Sequence, residues 1–309
     1  MSVSTPVSWL KRDVLLFALS IGCKVDELQF LYELHPEFQV FPTYPVILCV
    51  YPQFKQPRMF LQYSCLQEVI PYSTTLPHPP IPTLTPPPPA LDPSKVVDGL
   101  RHLTVHHPLP TSTVGRNFRM RKSIVGVYDK GSGTVVHSLH QLVDEDVGRC
   151  YSEVHAHSFY VGQGGWGGLR GPKVEDVVMP SREADIVAYE RSNTESSLLY
   201  RLNGDYNPLH ATPEPGTAMG FPGVIMHGLV AWNMCAHAVI RSFGESRGCC
   251  LVEFEARFAA PVLPGDHLCI QMWVEDDPQR AERIEVRFLC KVGERVVLKA
   301  GRALLKRRI

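Results

Sequence analysis

The chain has no surplus of charge of either sign: 31 Lys and Arg stand against 31 Asp and Glu among 309 residues. A nucleic-acid partner normally leaves a basic excess or stripe, so that class is not expected. The nine cysteines are odd in number and contain no CxxC pair, which argues against a zinc ribbon or a disulfide framework. They read as reduced thiols of an intracellular protein. No apolar run approaches the roughly 18 residues of a membrane span. The run Val14 to Ile21 follows Lys11, Arg12 and Asp13, but Cys23-Lys24-Val25-Asp26 comes next rather than a small-residue cleavage site, so no secretory leader is expected. There is no Gly-x-Ser-x-Gly elbow, and the glycine-rich stretch Gly162 to Gly168 leads into no GK[ST]. His155-Ala156-His157 sets two imidazoles on one strand face, but no third ligand stands nearby. No metal and no cofactor are expected.

What is present describes a globular protein. Hydrophobic residues make up 44% and charged residues 20%, and the length suggests about two domains. Ser8 is placed to cap a largely buried helix over Trp9 to Ile21 that stops at Gly22. Glu33 to Pro52 reads as irregular or short extended structure. Pro71 to Pro93 carries nine prolines between Pro77 and Pro93, too many missing N–H donors for a helix or central strand, and reads as an exposed spacer. Three strands follow, Asn117 to Tyr128, Thr134 to Val143 and Arg149 to Val161, the first two joined by the turn Asp129-Lys130-Gly131-Ser132-Gly133. Ser181 to Arg191 reads as loop and short helix. Val224 to Phe243 lacks alternation and has helical length, so it reads as a buried helix. Val252 to Phe258 alternates as a half-buried strand, and Cys249-Cys250 before it reads as two strand residues. Strands are also expected over Leu268 to Glu275, Ile284 to Val292 and Val296 to Leu305. Pro108-Leu109-Pro110 and Pro261 to Pro264 each precede three strands, a weak repeat that suggests two α+β domains, 1–175 and 176–309.

The chemistry gathers in Tyr200-Arg201-Leu202-Asn203-Gly204-Asp205-Tyr206-Asn207-Pro208-Leu209-His210. Gly204 and Pro208 keep one regular element from covering it, and a turn can bring Asp205 and His210 over one water as an acid/base pair. The plainer reading is equally open on this segment alone: Asp205 and Asn207 cap a turn, and His210 is a satisfied polar residue. Further on, Gly228 lies near the start of the expected helix, where free N–H groups and the helix dipole suit a carbonyl or oxyanion. A glycine serving only close packing is the alternative there.

Tyr200 to His210 resembles the signature of the MaoC-like hydratase 2 family, the (R)-specific enoyl-CoA hydratases. The likeness continues through Trp9 to Leu19, Phe30-Leu31-Tyr32-Glu33, Asp129 to Gly133, Val161 to Gly168, Met226-His227-Gly228-Leu229 and Ala256 to Val262, and is nearest to the hydratase units of peroxisomal multifunctional β-oxidation enzymes. The resemblance implies a double hot-dog fold, two helix-wrapping antiparallel sheets with the first central helix reduced. It implies that Asp205 and His210 are the catalytic pair, assisted by Glu33, and that Gly228 holds the thioester carbonyl. It implies that Gly99, Lys130, Tyr206, Asn207, Pro208, Leu209 and Phe258 bind the acyl-CoA substrate. Where relatives have His-Gly this chain has Asp98-Gly99, and residues 53–97 have no clear counterpart. The implied activity is reversible hydration of trans-2-enoyl-CoA to (3R)-3-hydroxyacyl-CoA by a homodimer. A non-catalytic acyl-thioester-binding module and an acyl-CoA thioesterase are the competing readings. The tail Arg307-Arg308-Ile309 partly resembles a peroxisomal address, with Arg307 in place of a small residue.

Overall fold

The computed structural model describes residues 2–50, 86–92, 95–172, 177–275 and 282–307. Most of the proline-rich segment, Arg308 and Ile309, and the expected domain boundary at 175/176 lie outside them. The element order is β1 (Ser2–Pro6), α1 (Lys11–Ser20), α2 (Leu28–Leu31), α3 (Pro45–Val50), β2 (Val96–Val105), β3 (Phe118–Asp129), β4 (Gly133–Asp144) and β5 (Arg149–Val161). It continues with β6 (Ile186–Arg191), α4 (Ser196–Arg201), α5 (Pro213–Ala218), α6 (Gly228–Phe243), β7 (Leu251–Phe258), β8 (His267–Glu275), β9 (Arg283–Val292) and β10 (Arg295–Lys306).

The strands form one antiparallel sheet in the order β1-β3-β4-β5-β2-β7-β10-β9-β8-β6. Read inward from either edge, the order is first, third, fourth, fifth and second strand of its half. The repeat glimpsed in the sequence is thus five strands long in each half, two more than expected. This is the double hot-dog arrangement. The halves meet where β2 pairs with β7, Leu100 to Thr104 against Arg257 to Glu253.

The second sheet wraps α6. Every position of that helix from Leu229 to Ile240 is buried, and all but Asn233 and His237 are apolar or thiol, as suits a helix enclosed by its own sheet. Trp232 meets Phe254 edge-on at 4.6 Å, and Phe254 stacks on Phe288 at 4.8 Å. The alternation of β7 places Phe254 and Ala256 against the helix.

Several expectations need correction. The first helix begins at Lys11, its N-cap is Leu10 rather than Ser8, and the Asp13 carboxylate accepts the Leu10 N–H. Only one face of it is buried, through Val14, Phe17 and Ala18, while Leu19 is exposed. Pro45–Val50 is helical, not extended. Ile186–Arg191 is the edge strand β6, not loop and helix, because it hydrogen-bonds along β8. Cys249 and Cys250 lie in a 3-10 turn, Gly248–Cys250, with Cys249 exposed and Cys250 buried. The long helix starts at Gly228 rather than Val224.

The N-terminal segment is held to α6 by a buried ionic knot that sequence patterning did not suggest. Glu27 accepts from His237 on α6 at 2.6 Å and from the Ser246 hydroxyl at 2.8 Å, and Arg241 lies 3.1 Å away. Lys24 pairs with Glu190 of β6 at 2.6 Å. Burial pushes the Glu27 carboxyl up, but the His237 and Lys24 hydrogen bonds outweigh it and hold it at about 2. A depressed carboxyl stabilises the fold above its unfolded value, and that contribution is lost as pH falls from about 4.5 toward 2. Breaking one partner of a buried pair typically costs about 3–5 kcal/mol. Glu27→Gln is therefore expected to lower chemical-denaturation stability at pH 7 by that order and to flatten the acid loss below pH 4.5. An unchanged unfolding midpoint would contradict this role.

Candidate active site

The segment 204–210 makes two successive side-chain turns. The Asp205 Oδ1 accepts the Asn207 N–H at 3.1 Å, and the Asn207 Oδ1 accepts the Leu209 N–H at 3.0 Å. Asn207 thereby caps a 3-10 turn over Pro208–His210, and Pro208 supplies its first position without needing a donor. The turn-capping reading is realised, and it is also what delivers Asp205 and His210 to one place.

His210 is buried, and its Nδ1–H donates to the Ile225 carbonyl at 2.9 Å when the ring is neutral. Its Nε2 then carries the lone pair. His227 stacks on His210 with ring centroids 3.6 Å apart, and its Nε2 lies 3.2 Å from the Asp205 carbonyl oxygen and 3.7 Å from Oδ2. Burial lowers the His210 pKa below the usual histidine value, with the Asp205 charge and the Ile225 hydrogen bond only partly opposing it. Burial, with the His210 ring beside it, lowers His227 to about 3. One ligand-type atom from each of Asp205, His210 and His227 lies within 4.8 Å of the others. The two ring planes are 27° apart.

Gly228 opens α6, where the first N–H groups have no partner within the helix. A Cβ at this position would lie 3.0 Å from the Phe258 ring and 3.4 Å from the Asp98 carboxylate. The glycine lets the Phe258 ring close over the helix start, where a side chain would crowd it.

Asp205, Asn207, Leu209, His210, Gly228 and Phe258 line one cavity of about 380 Å³, at the small end of the roughly 300–1,000 Å³ typical of ligand sites. The other expected site residues lie outside its wall. Gly99 sits in a bulge of β2, where a Cβ would press to 3.0 Å on the His157 carbonyl oxygen. Lys130 reaches the Arg170 carbonyl from the β3–β4 turn, Tyr206 packs under the Arg201 guanidinium, and Pro208 is exposed. Glu33 is exposed after α2 and does not reach the cavity. The glycine run is also accounted for. The Gly165, Gly131 and Gly167 N–H groups donate to the Asp129 carboxylate at 2.8 Å each and hold it at about 2.

Sequence reasoning passed over His227 and Asp98. Asp98 lines the cavity, ion-paired to Arg101, and its signal was the departure from His-Gly at that position.

The chain is 48% identical over 97% of its length to a probable dehydratase of Ajellomyces capsulatus, of which it covers 79%. The MaoC-like domain pattern matches residues 177–294, and the MFE-2 hydratase 2 N-terminal domain pattern matches residues 8–71. The chain belongs to the MaoC-like family. A Drosophila melanogaster peroxisomal multifunctional enzyme type 2 is 30% identical over 93% of the chain, which spans 44% of that longer protein. The crystal structure of a MaoC-like dehydratase from Phytophthora capsici superposes with a TM-score of 0.79 at 25% identity, covering 100% of this chain and 96% of that one. As a member of this hydratase and dehydratase family, the chain is an enzyme of carbon–oxygen lyase type. No helix among the described residues is long and apolar enough to cross a membrane.

The burial of both rings makes a specific expectation. NMR of ring nitrogens should find His227 neutral at pH 6 and His210 titrating below the usual histidine value, with the proton of neutral His210 on Nδ1. A protonated His227 at that pH would contradict the geometry.

Proposed function

We propose that this MaoC-like enzyme hydrates trans-2-enoyl-CoA reversibly to (3R)-3-hydroxyacyl-CoA, with Asp205 and His210 as its proton-handling pair. The observation that carries this reading is the convergence of three things at one cavity wall: the Asp205 carboxylate, the His210 imidazole and the open start of α6 at Gly228.

A water between Asp205 and His210 directs one O–H hydrogen bond to the carboxylate and the other to Nε2, both protons still on its oxygen. As the water oxygen bonds to C3, the pair takes up one proton, and electrons of the C2=C3 double bond move toward the thioester oxygen. The Gly228 N–H donates to that oxygen while it carries the added charge. The pair then returns one proton to C2, so one water has been added and the residues are restored. Neutral His210 is the form that accepts a proton, and its lowered pKa keeps that form present below the usual histidine value. Asn207 holds the turn, and Leu209 and Phe258 wall the acyl path. Attack of the same water on the thioester carbon would be hydrolysis, but Gly228 steadies the oxygen of an enolate equally well, and no feature of the site favours hydrolysis.

The same reading carries a homodimer of double units, resting on the family resemblance, and the domain division 1–175 and 176–309, resting on the internal repeat; a peroxisomal location rests on the peroxisomal relatives, with a cytoplasmic one as the alternative.

The test is an enoyl-CoA assay followed by absorbance at the conjugated thioester, free-thiol release and chiral product analysis. Wild type should consume the enoyl group, release no thiol and give the (3R) alcohol. Asp205→Asn and His210→Ala should each lower kcat by about 10²–10⁴-fold with acyl-CoA binding retained. The double variant should lose little beyond the worse single one, since both residues serve one water. Thiol release, a (3S) product, or wild-type turnover in Asp205→Asn would overturn the proposal.

A further inference from the structure

The inner face of the first sheet is not built like that of the second. In the second half, Leu268, Ile270 and Met272 of β8 and Val286, Phe288 and Cys290 of β9 are all fully buried, all apolar or thiol, and packed around α6. In the strand order, β3 and β4 occupy the places of β8 and β9. Their inward positions begin the same way, with Phe118 and Met120 on β3 and Leu142 on β4. The alternation then delivers Lys122 and, directly opposite it, His140, followed by Ser138. All three line the cavity that begins at Asp205 and Gly228. Ser138 Oγ and His140 Nε2 are 2.8 Å apart.

The other ionisable groups on this wall are Asp98, Arg101 and Cys49. Arg101 is already ion-paired with Asp98. The Cys49 thiol donates to the Pro45 carbonyl at 3.3 Å and is pushed up by burial to about 12, so it supplies no negative charge. Among the described residues no carboxylate pairs with Lys122. Burial lowers its ammonium to about 8, reinforced by the nearby Arg101. A cation in a half-enclosed cavity without a counter-ion is costly. In the second sheet the equivalent space is filled by hydrocarbon. A cavity meant for a plain alkyl chain would be served by the same solution here.

We propose that the far wall of this cavity, formed by Lys122 with His140 and Ser138, is a subsite for a carboxylate at the distal end of the acyl chain. The preferred substrates are then mono-CoA thioesters of dicarboxylic enoyl acids rather than simple fatty enoyl-CoAs. This rests on the hydratase reading above and narrows its substrate. The reach is consistent with a chain of medium length. β2, which carries Asp98 beside Gly228, and β3, which carries Lys122, are separated by three strand spacings of about 4.8 Å each, and the lysine side chain spans part of that distance.

The test pairs binding with turnover. Saturated acyl-CoAs of about six to ten carbons, each with its ω-carboxylate counterpart, are titrated calorimetrically into the intact protein, and the matching enoyl thioesters are assayed. At the fitting length the carboxylate form should bind about 10- to 100-fold tighter, the range of a charge-assisted contact, with kcat/KM favouring it likewise. Lys122→Met should reduce that carboxylate-over-methyl ratio by a similar factor, and Lys122→Arg should restore part of it. Equal or weaker binding of the carboxylate forms at every length, or a ratio unmoved in Lys122→Met, overturns the subsite. A carboxylate preference in binding without any hydration supports the subsite and overturns the hydratase reading, so the two failures are told apart.

Discussion

The site depends on the backbone seam between β2 and β7. Each half of the molecule is a five-stranded sheet, and neither half alone contains a complete cavity. Asp205, His210, Gly228 and Phe258 come from the second half, while Asp98, Arg101, Lys122, Ser138 and His140 come from the first. The antiparallel pairing of Leu100 to Thr104 with Arg257 to Glu253 fixes one against the other. Phe258 ends β7 just beyond the paired stretch, and Asp98 lies one bulge beyond it on β2. Both then flank the first residue of α6. Backbone hydrogen bonds in a buried ladder are strong positional constraints because breaking them leaves unsatisfied donors and acceptors. The turn that carries Asp205 and His210 and the wall that carries Lys122, Ser138 and His140 are thereby held in register.

A second consequence follows from the inequality of the two halves. A curved sheet must cover its inner face, and the second half does so with a sixteen-residue helix buried from Leu229 to Ile240. Among the described residues the first half offers only the six-residue α3 in the corresponding interval. Among the described residues the inner face of β3, β4, β5 and β2 is left partly to the cavity. In the proposed function that space takes the substrate chain, and it lets Lys122, His140 and Ser138 occupy inward positions that a packed helix would exclude. The ionic knot of Lys24, Glu27, Glu190 and His237 plays the opposite part: it uses buried charge to fasten the N-terminal segment to α6 rather than to face a ligand.

Much of this was legible in the sequence because the physics was local. Val252 to Phe258 alternates strictly, and the absence of alternation over Val224 to Phe243 marks a helix enclosed on every side. Asp205 and His210 were legible because glycine and proline in one short segment force a turn around two proton-handling groups. What escaped was hidden by inward polar residues. β6 reads Ile186-Val187-Ala188-Tyr189-Glu190-Arg191, with Glu190 buried and Tyr189 exposed, the inverse of the usual strand pattern, because Glu190 meets Lys24. β2 was obscured in the same way by Asp98 and Arg101. The cap of α1 was misplaced because Asp13, inside the first turn, satisfies the Leu10 N–H without help from Ser8. Lys122 and His140 carried a readable signal, since they break an apolar alternation on its buried parity. Their partners across the strands became visible only with the register.

The central claim is that Asp205 and His210 hold one water over one face of the acyl chain and return a proton to that same face. Hydration of a trans-2-enoyl-CoA in deuterium oxide, followed by stereochemical analysis of the 3-hydroxy product, reads this directly. The deuterium at C2 and the hydroxyl at C3 should be added syn in a single diastereomer. Anti addition, or a mixture of configurations at C2, would mean that the proton comes from elsewhere and would contradict the assignment of both roles to this pair.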